Sequence, residues 1–499
     1  MSESPARRSS FAGDVLKLAS GATIAQVIGV ALSPVLARLF SPEAFGTAGV
    51  FTSILSVLGL MACLRYELAI LLPESDEDAA HLLVGSLLAV GAMTALSALG
   101  MALLGRSLGQ TWLKAPDVVP YLWLIPVAVL AEGCYLALRH WGTRTKRFGR
   151  LSTMRVAASL GANAMRLGAG WLRQGSAGAL IGATVVGNAL PALGLGWHTW
   201  REHRALLSRV RCRRVAALLK RYSRFPLVSS WSAMLSAVSA QTPVLFLSGL
   251  FSQTIVGYYS FGMRMVQLPM TLVGSAIGQV LFQRAAEAAA VADGSLGPLV
   301  ERTYQRMVMV GALPLLLLAL VGPEFFGLVF GAQWIEAGAY SSILAAPLFF
   351  TFVIGSMPLF SVTERQVEGL AFMALLFVAR VLPFAWGAWR QAEPRSILLV
   401  FSVLNSLVWL ALSLWQFRAV QLPMGRAIYH LGRALLWAIP TGIIVSLAKW
   451  GLRLPPLWLL LVTLVACAPY IGVVLRQDAL FHNLAARFST LLPARRTER

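Results

Sequence analysis

The stretch RLFSPEAFGTAGVF, Arg38 to Phe51, recurs in degenerate form as GLFSQTIVGYYSFG, Gly249 to Gly262. Four identities share one offset of 211 residues, which indicates that the chain is duplicated. The apolar segment after the first copy ends in the charged triplet Arg65-Tyr66-Glu67, which is not repeated at that offset. The identities pair Leu39, Phe40, Ser41 and Gly46 with Leu250, Phe251, Ser252 and Gly257.

The composition is that of a protein that crosses a membrane many times. Of the 499 residues, 57% are hydrophobic and only 13% are charged, too few charges to cover a soluble protein of this length. Apolar runs of about 20 residues recur, and such a run spans a bilayer core of roughly 30 Å as a helix. Because backbone groups in lipid must bond within their own segment, these runs are predicted to be helices.

We therefore predict an all-α polytopic membrane protein of about fourteen transmembrane helices. The repeat matches spans 1–2 to spans 7–8, so the architecture is predicted to be two parallel six-helix lobes plus a C-terminal helix pair. The predicted domains are residues 1–200 (N-lobe), 201–226 (basic cytoplasmic linker helix), 227–420 (C-lobe) and 421–499 (spans 13–14 and a basic tail). The predicted spans are 13–37, 44–72, 80–104, 119–141, 152–173, 177–199, 225–249, 254–282, 299–321, 337–360, 367–389, 396–416, 428–448 and 456–475.

Basic residues predict the orientation. We assign 30 of the 42 Lys and Arg residues to cytoplasmic segments and 8 to outer ones, and this asymmetry places both termini in the cytoplasm. The net charge of +21 thus reflects the positive-inside rule and predicts no nucleic-acid partner. The linker 201–226 is predicted to be a basic amphipathic helix on the anionic inner leaflet; docking of a cytoplasmic partner is the alternative.

Four arginines lie within predicted spans, away from the interfaces. Each costs at least ~2.5–3.5 kcal/mol on insertion scales, so we expect them to face a bundle interior or an aqueous cavity. Guanidinium groups bind phosphate through paired hydrogen bonds, and the set therefore predicts a multivalent anion as substrate. Structural pairing or snorkelling is the alternative. The four are Arg65 (span 2), Arg166 (span 5), Arg264 (span 8) and Arg380 (span 11).

Two acids accompany the arginines. Glu67 follows Arg65 by two residues, which on a helix would point the two side chains to different faces. Glu132 in span 4 is a candidate ion-coupling carboxylate or a structural partner of an arginine; both interpretations stay open, and Glu67 is considered for the same roles.

One run in the sequence resembles a catalytic metal-binding motif. The run Asp76-Glu77-Asp78 resembles the D-x-D motif of nucleotide-sugar transferases, but its place favours capping of span 3 by Ser75 or Asp76. No lysine follows a glycine, so no Walker A loop is present. The histidines and cysteines lack metal-ligand spacing, and neither a metal nor a cofactor is predicted.

Several stretches resemble polysaccharide-biosynthesis flippases, the O-antigen and exopolysaccharide exporters of the multidrug/oligosaccharidyl-lipid/polysaccharide (MOP) superfamily. The similarity runs in order across roughly residues 11–420. It is carried by ARLFSPEAFGTAGVF with the following LRYELAILLP, by HWGTRTKRFGRLSTMR, by GYYSFGMRMVQLPMTLVGSAIGQVLF and by VFGAQWIEAGAYSSIL.

The resemblance implies a MATE-like, V-shaped pair of lobes in the bacterial inner membrane that works by alternating access. The implied substrate is a polyprenyl-diphosphate-linked oligosaccharide, with coupling to an H+ or Na+ gradient expected by analogy. In related lipid II flippases, arginines on helices 1, 2 and 8 hold the diphosphate and spans 13–14 line a groove for the lipid tail; Arg65 and Arg264 match helices 2 and 8. Membrane lipids and other glycan-assembly proteins are the further partners implied.

The competing functions make different demands on the sequence. A drug or cation antiporter of the same fold would carry acidic cavity residues, whereas the intramembrane charges here are mostly basic. A membrane glycan polymerase or ligase would need a sizeable outer loop, and the predicted outer connections reach about 15 residues at most. A non-transporting scaffold is the third alternative. The sequence favours a transporter over an enzyme.

Overall fold

The computed structural model describes residues 11–477 apart from 173–174, 292–294, 356, 358 and 364. The described chain is helical, without β-strands. Its helices are α1 (Phe11–Leu39), α2 (Pro42–Met61), α3 (Tyr66–Ala69), α4 (Asp76–Ser107), α5 (Leu124–Arg144), α6 (Phe148–Trp171), α7 (Ala177–Leu207), α8 (Cys212–Arg221), α9 (Ser230–Leu250), α10 (Gln253–Val291), α11 (Leu296–Phe330), α12 (Ile335–Ile343), α13 (Ala345–Gly355), α14 (Leu359–Val362), α15 (Gln366–Arg390), α16 (Pro394–Ala419), α17 (Met424–Ser446), α18 (Pro456–Ala466) and α19 (Ala468–Gln477).

Long apolar helices dominate this set. Among the described residues, nine helices are long and apolar enough to cross a membrane, and α12 with α13, bent by 57°, would add a tenth. The segment Asp76–Trp112 has a mean hydropathy of 2.1, yet only 11% of its apolar window is buried by protein. Such a surface requires lipid around it. The chain is therefore a multi-pass membrane protein.

A helix lies at each of the fourteen predicted span positions, but four of these helices, α1, α5, α6 and α10, are not among the nine. In α1 the apolar segment Thr23–Leu39 is shorter than a full span. Helix α6 carries three arginines, Arg150, Arg155 and Arg166, which lower its hydropathy. The number fourteen and the two-lobe arrangement stay predictions, while the all-helical membrane fold is confirmed.

The chain divides into two compact units, and the first comprises residues 1–268 and 380–394. In it α1 and α6 run side by side and parallel, because Gly21 packs on Ser152 near one end and Gly170 packs on Leu39 near the other. Parallel neighbours must enter the membrane from the same side. This direction agrees with their prediction as spans 1 and 5.

The linker between α7 and α9 differs from the prediction. Residues 201–207 continue α7, and a separate helix, α8, follows at Cys212–Arg221. The apolar side of α8 packs on α4: Val215 and Leu218 are buried, and Leu219 lies against Gly85. Protein thus covers the apolar face that the prediction assigned to the inner leaflet, and contact of the helix with the membrane stays a prediction.

Predicted span 2 is also shorter than expected. Helix α2 ends at Met61, and Leu64 and Arg65 adopt left-handed backbone angles with φ of 48° and 63°. Left-handed φ ends a helix, and it is uncommon for side chains other than Gly, Asn and Asp. Arg65 therefore lies at a helix break and not inside a continuous span of residues 44–72.

The second unit comprises residues 269–379 and 395–499. Here α11 and α17 run parallel and are joined by ion pairs at both ends. Glu301 near the start of α11 contacts both Arg426 and His430 at 2.9 Å, and Lys449, just after α17, lies 2.9 Å from Glu324. The parallel direction agrees with their prediction as spans 9 and 13, which enter from the same side.

Candidate functional site

Two of the predicted arginines come together in the first unit. Arg166 on α6 and Arg264 on α10 lie close enough for their positive charges to repel each other. The Arg264 side chain has accessible surface, and many protein atoms lie around it. Neither guanidinium is within ion-pair distance of a carboxylate among the described residues. This pair is called the arginine pair below.

The orientation of Arg166 is set by its own helix. Its Nη1 donates to Asn163 Oδ1 at 3.2 Å, and Asn163 Nδ2 donates to the Ser159 carbonyl at 2.9 Å. The Ser159 hydroxyl in turn donates to the Ala25 carbonyl on α1 at 3.0 Å. A partly buried chain of hydrogen bonds thus connects one member of the pair to two packed helices.

Arg380, the third intramembrane arginine, has partners of its own. Its Nη1 donates to Ser239 Oγ at 2.9 Å, which connects α15 to α9, and the buried Tyr259 of α10 lies close enough for an electrostatic interaction. Tyr259 precedes Arg264 by five residues. Arg380 therefore braces α10 near the arginine pair. Sequence reasoning missed Ser239 and Tyr259 because single hydroxyls in apolar helices carry no motif.

Arg65 lies apart from that group, at the break after α2. Its Nη1 is 3.7 Å from Glu67 Oε1, and the Glu67 side chain is only 1% exposed. The expectation that the two side chains point apart was wrong, since the left-handed backbone at Arg65 replaces helical geometry. At 3.7 Å the contact is too long for a hydrogen bond. Both Glu67 carboxylate oxygens and Arg65 Nε are buried without a hydrogen-bond partner in the described chain.

Glu132 lies at the middle of α5 and faces α2. A β-carbon placed on Gly59 would come within 2.4 Å of Glu132 Oε2, so the absent side chain at position 59 makes the space for the carboxyl group. No hydrogen bond or ion pair joins Glu132 to a described residue. The described contacts therefore do not support the alternative in which Glu132 pairs with an arginine.

Several polar side chains within the apolar helices pair one helix with another. Gln26 Nε2 donates to the Leu268 carbonyl, Gln241 accepts from Ser53, and Asn405 donates within and between helices. Gln267 differs, because it is exposed and lies three residues after Arg264, about one helical turn away.

Two arginines bind the acidic residues at the start of α4. Ser75 caps α4 by accepting a hydrogen bond from Asp78 N at 3.2 Å, which confirms the capping interpretation of this run. Arg144 binds Asp76, and Arg214 donates two hydrogen bonds of 2.9 Å to Asp78. The bond to Asp78 raises the pKa of Arg214. An acidic segment on the predicted cytoplasmic side is thereby neutralised.

Comparison with known proteins assigns the chain to a family. The sequence model of the family described as "Polysaccharide biosynthesis protein" matches residues 35–339. The chain belongs to this polysaccharide biosynthesis family. The match confirms the polysaccharide-biosynthesis family that the sequence stretches resemble.

Relatives of this family member agree with the assignment. The chain is 24% identical over 458 residues to the succinoglycan biosynthesis transport protein ExoT of Rhizobium meliloti (strain 1021), covering 89% of this chain and 87% of that protein. Its fold is similar to the lipid II flippase MurJ in an inward closed conformation, with a TM-score of 0.68, 12% identity, and coverage of 95% and 99% of the two chains. A multidrug resistance MATE family transporter of the MOP superfamily, in an inward-facing conformation, gives a TM-score of 0.55 at 14% identity, with coverage of 82% and 99%.

Proposed function

We propose that this protein is a flippase that moves a polyprenyl-diphosphate-linked oligosaccharide, an O-antigen or exopolysaccharide repeat unit, from the cytoplasmic to the outer leaflet of a bacterial inner membrane. The observation that carries the proposal is the arginine pair. Two cations with no carboxylate partner in the described part of the chain are costly in the membrane interior, and a diphosphate is a ligand that neutralises both.

The chemistry of the substrate fits this arrangement. The diphosphate is the part that resists transfer, because burying an unpaired charge in hydrocarbon is strongly unfavourable. Guanidinium groups bind phosphate oxygens through short, charge-assisted hydrogen bonds. Arg166 and Arg264 would hold the diphosphate while the glycan stays hydrated and the prenyl chain stays in lipid. Arg380 donates one hydrogen bond to Ser239. Its positive charge would stabilise the bound diphosphate, and its remaining N–H groups could donate to the substrate.

Arg65 is proposed to contribute differently from the arginine pair. Its partial pairing with Glu67 at the break after α2 favours a role at the entrance or in conformational change over a direct phosphate contact. Strained backbone and buried polar atoms without partners are typical of positions where function opposes stability.

Glu132 is the proposed ion-coupling group, and a proton is the ion its surroundings favour. A lone carboxyl group in a helix bundle is stable when neutral, and among the described residues Glu132 belongs to no group of three or more His, Cys, Asp or Glu side chains that could hold a metal ion. Proton binding and release at Glu132 would change the relative stability of two conformations and so drive transport. Glu67 is the second candidate, since its carboxylate oxygens are buried without a hydrogen-bond partner among the described residues.

The protein is proposed to act without covalent chemistry. Binding, reorientation and release suffice for a flippase, and both the family and ExoT are described by biosynthesis and transport. The glycan itself is not specified by the arginine pair, which recognises the diphosphate common to such substrates.

The test is a flipping assay in proteoliposomes. Purified protein is reconstituted with a fluorescent polyprenyl-diphosphate oligosaccharide, and movement between leaflets is followed by the access of an impermeant quencher. We expect rapid transfer of the diphosphate-linked substrate and slow transfer of the same glycan on a polyprenyl monophosphate. Equal rates for the two lipids, or a rate equal to that of protein-free vesicles, would refute the proposed function.

A further inference from the structure

Helix α8 is held at its start by a histidine of α4. The backbone N–H of Arg211, the residue before α8, donates to His81 Nε2 at 3.1 Å. His81 Nδ1 lies 2.7 Å from the carbonyl oxygen of Glu77, one turn earlier on α4. His81 is only 3% exposed, so both ring nitrogens are bonded to protein rather than to water. We call this arrangement the His81 contact.

The two partners fix the protonation state of the ring. A neutral imidazole has one N–H donor and one acceptor nitrogen. Because the Arg211 N–H can only donate, Nε2 is the acceptor, and Nδ1 carries the proton and donates to the Glu77 carbonyl oxygen. A second proton, on Nε2, would face the Arg211 N–H, donor against donor. The His81 contact therefore requires a neutral imidazole.

Charged side chains from several elements lie at this end of α4. Asp78 interacts electrostatically with His81, and Arg214 donates two hydrogen bonds of 2.9 Å to the same carboxylate. The acid that attracts a proton to His81 is thus already paired with a cation, which weakens that attraction. The charged residues on the segments packed here are Asp76, Glu77 and Asp78 on α4, Arg144 on α5, Arg209 and Arg211 before α8, and Arg214, Lys220 and Arg221 on α8.

Three other contacts hold α8, and none of them titrates near neutral pH. The apolar side of α8 packs on α4, Arg214 pairs with Asp78, and Tyr66 Oη donates to the Leu219 carbonyl oxygen at 3.1 Å. Carboxylate, guanidinium and phenol groups titrate several pH units from neutrality, whereas imidazole titrates close to it. Among the described contacts that hold this helix, the His81 contact is the one that a small change in pH can break.

We propose that His81 makes the docking of α8 depend on the pH of the cytoplasm, so that acidification releases the helix. Protonation favours the released helix, because only there can both ring nitrogens donate to water. A solvated imidazole gains its proton at about pH 6.5, so docking is complete above that pH and weakens below it. Tyr66 is the middle residue of Arg65-Tyr66-Glu67, and release of α8 removes its support from the strained segment that carries Arg65.

The accessibility of a buried position on α8 measures its release, whatever the protein transports. In a Cys212→Ser background, Val215→Cys places a thiol on the buried side of α8, and Arg213→Cys places one on the exposed side. Dividing the first maleimide-labelling rate by the second corrects for the effect of pH on the thiol itself. We expect this ratio to rise about tenfold from about pH 7.5 to about pH 5.5, as proton binding to a solvated imidazole would produce. The Cys212→Ser protein supplies the background from the three remaining cysteines.

Substitution of the ring tests whether His81 is responsible. In His81→Gln the side-chain carbonyl can still accept from the Arg211 N–H and does not titrate. We therefore expect α8 to stay docked, with the same low labelling ratio at both pH values. His198→Gln is the control: this histidine of α7 lines a pocket with α5, and its variant should keep the full tenfold rise.

A second amide covers the case in which glutamine does not fit. His81→Asn keeps an amide N–H for the Glu77 carbonyl oxygen, and its ratio should likewise be independent of pH. A constant ratio in the parent protein, or a tenfold rise that persists in either amide variant, would overturn the proposal. A ratio already at the exposed level at about pH 7.5 in both variants would also overturn it, because docking would then require the ring itself and not its neutral state.

Discussion

Arg144 Nε donates a hydrogen bond of 3.0 Å to Asp76 Oδ1, and the same guanidinium donates to three backbone carbonyls of the loop between α3 and α4. The Arg144 side chain is only 11% exposed. One residue at the end of α5 thus binds both the loop backbone and the first residue of α4. The carbonyls belong to Ile70, Pro73 and Glu74.

We predict that Arg144→Ala lowers the free energy of unfolding by roughly 3 kcal/mol, because it leaves several partly buried acceptors without a charged donor. Thermal unfolding of the detergent-solubilised protein measures the change. Arg147→Ala is the control: its side chain is 53% exposed and its pair with Glu202 is 3.3 Å long, so its loss should stay within about 1 kcal/mol. Equal losses for the two variants would contradict this role of Arg144.

The docking of α8 on α4 should depend on the pair of Asp78 and Arg214. Reversing either charge alone, with Asp78→Arg or Arg214→Asp, places like charges together, so we expect faster chymotrypsin cleavage at Tyr222 and its neighbours in the linker. The double reversal restores the pair and should return cleavage to the parent rate. A double variant as sensitive as the single ones would show that these charges do not hold the helix.

Glu132→Gln should separate binding from energy coupling. The amide has the shape of the protonated carboxyl group and cannot release a proton, so we expect the fold and passive exchange of substrate to persist while acceleration by a proton gradient disappears. Flipping assays with and without an imposed pH difference measure this. Glu43→Gln, an exposed acid at the start of α2, serves as the control. If Glu132→Gln keeps its full response to the gradient, Glu132 is not the coupling group.

Local features of the fold could be predicted from sequence because their physics is local. Ser41 followed by Pro42 predicts the start of α2, and in the structure Ser41 caps that helix by accepting from Ala44 N at 3.2 Å. Membrane crossing followed from composition in the same way. The break after α2 could not be predicted, because Cys63-Leu64-Arg65 contains neither glycine nor proline and its left-handed angles are set by tertiary packing.

The sequence predicts which residue types form the candidate site, but it does not predict which of those residues lie close together. The energetic cost of arginine in a span singled out Arg166, Arg264 and Arg380. Which of them meet depends on how α6, α10 and α15 pack, and no spacing in the sequence encodes that. The ion pairs of the acidic loop join residues 68 and 136 positions apart, so they too are visible only once the helices are assembled.

The central claim is that the arginine pair holds the diphosphate, and the flipping rates of Arg166 and Arg264 variants test it most directly. We predict that Arg166→Gln and Arg264→Gln each slow transfer of the diphosphate-linked substrate by about 10- to 100-fold, the worth of one charge-assisted hydrogen-bonding group. Arg264→Lys should recover part of the rate, since it keeps the charge and loses the paired geometry. Arg106→Gln, at an exposed arginine on α4, should transport normally. Parent rates in both glutamine variants, at equal amounts of folded protein, would contradict the account.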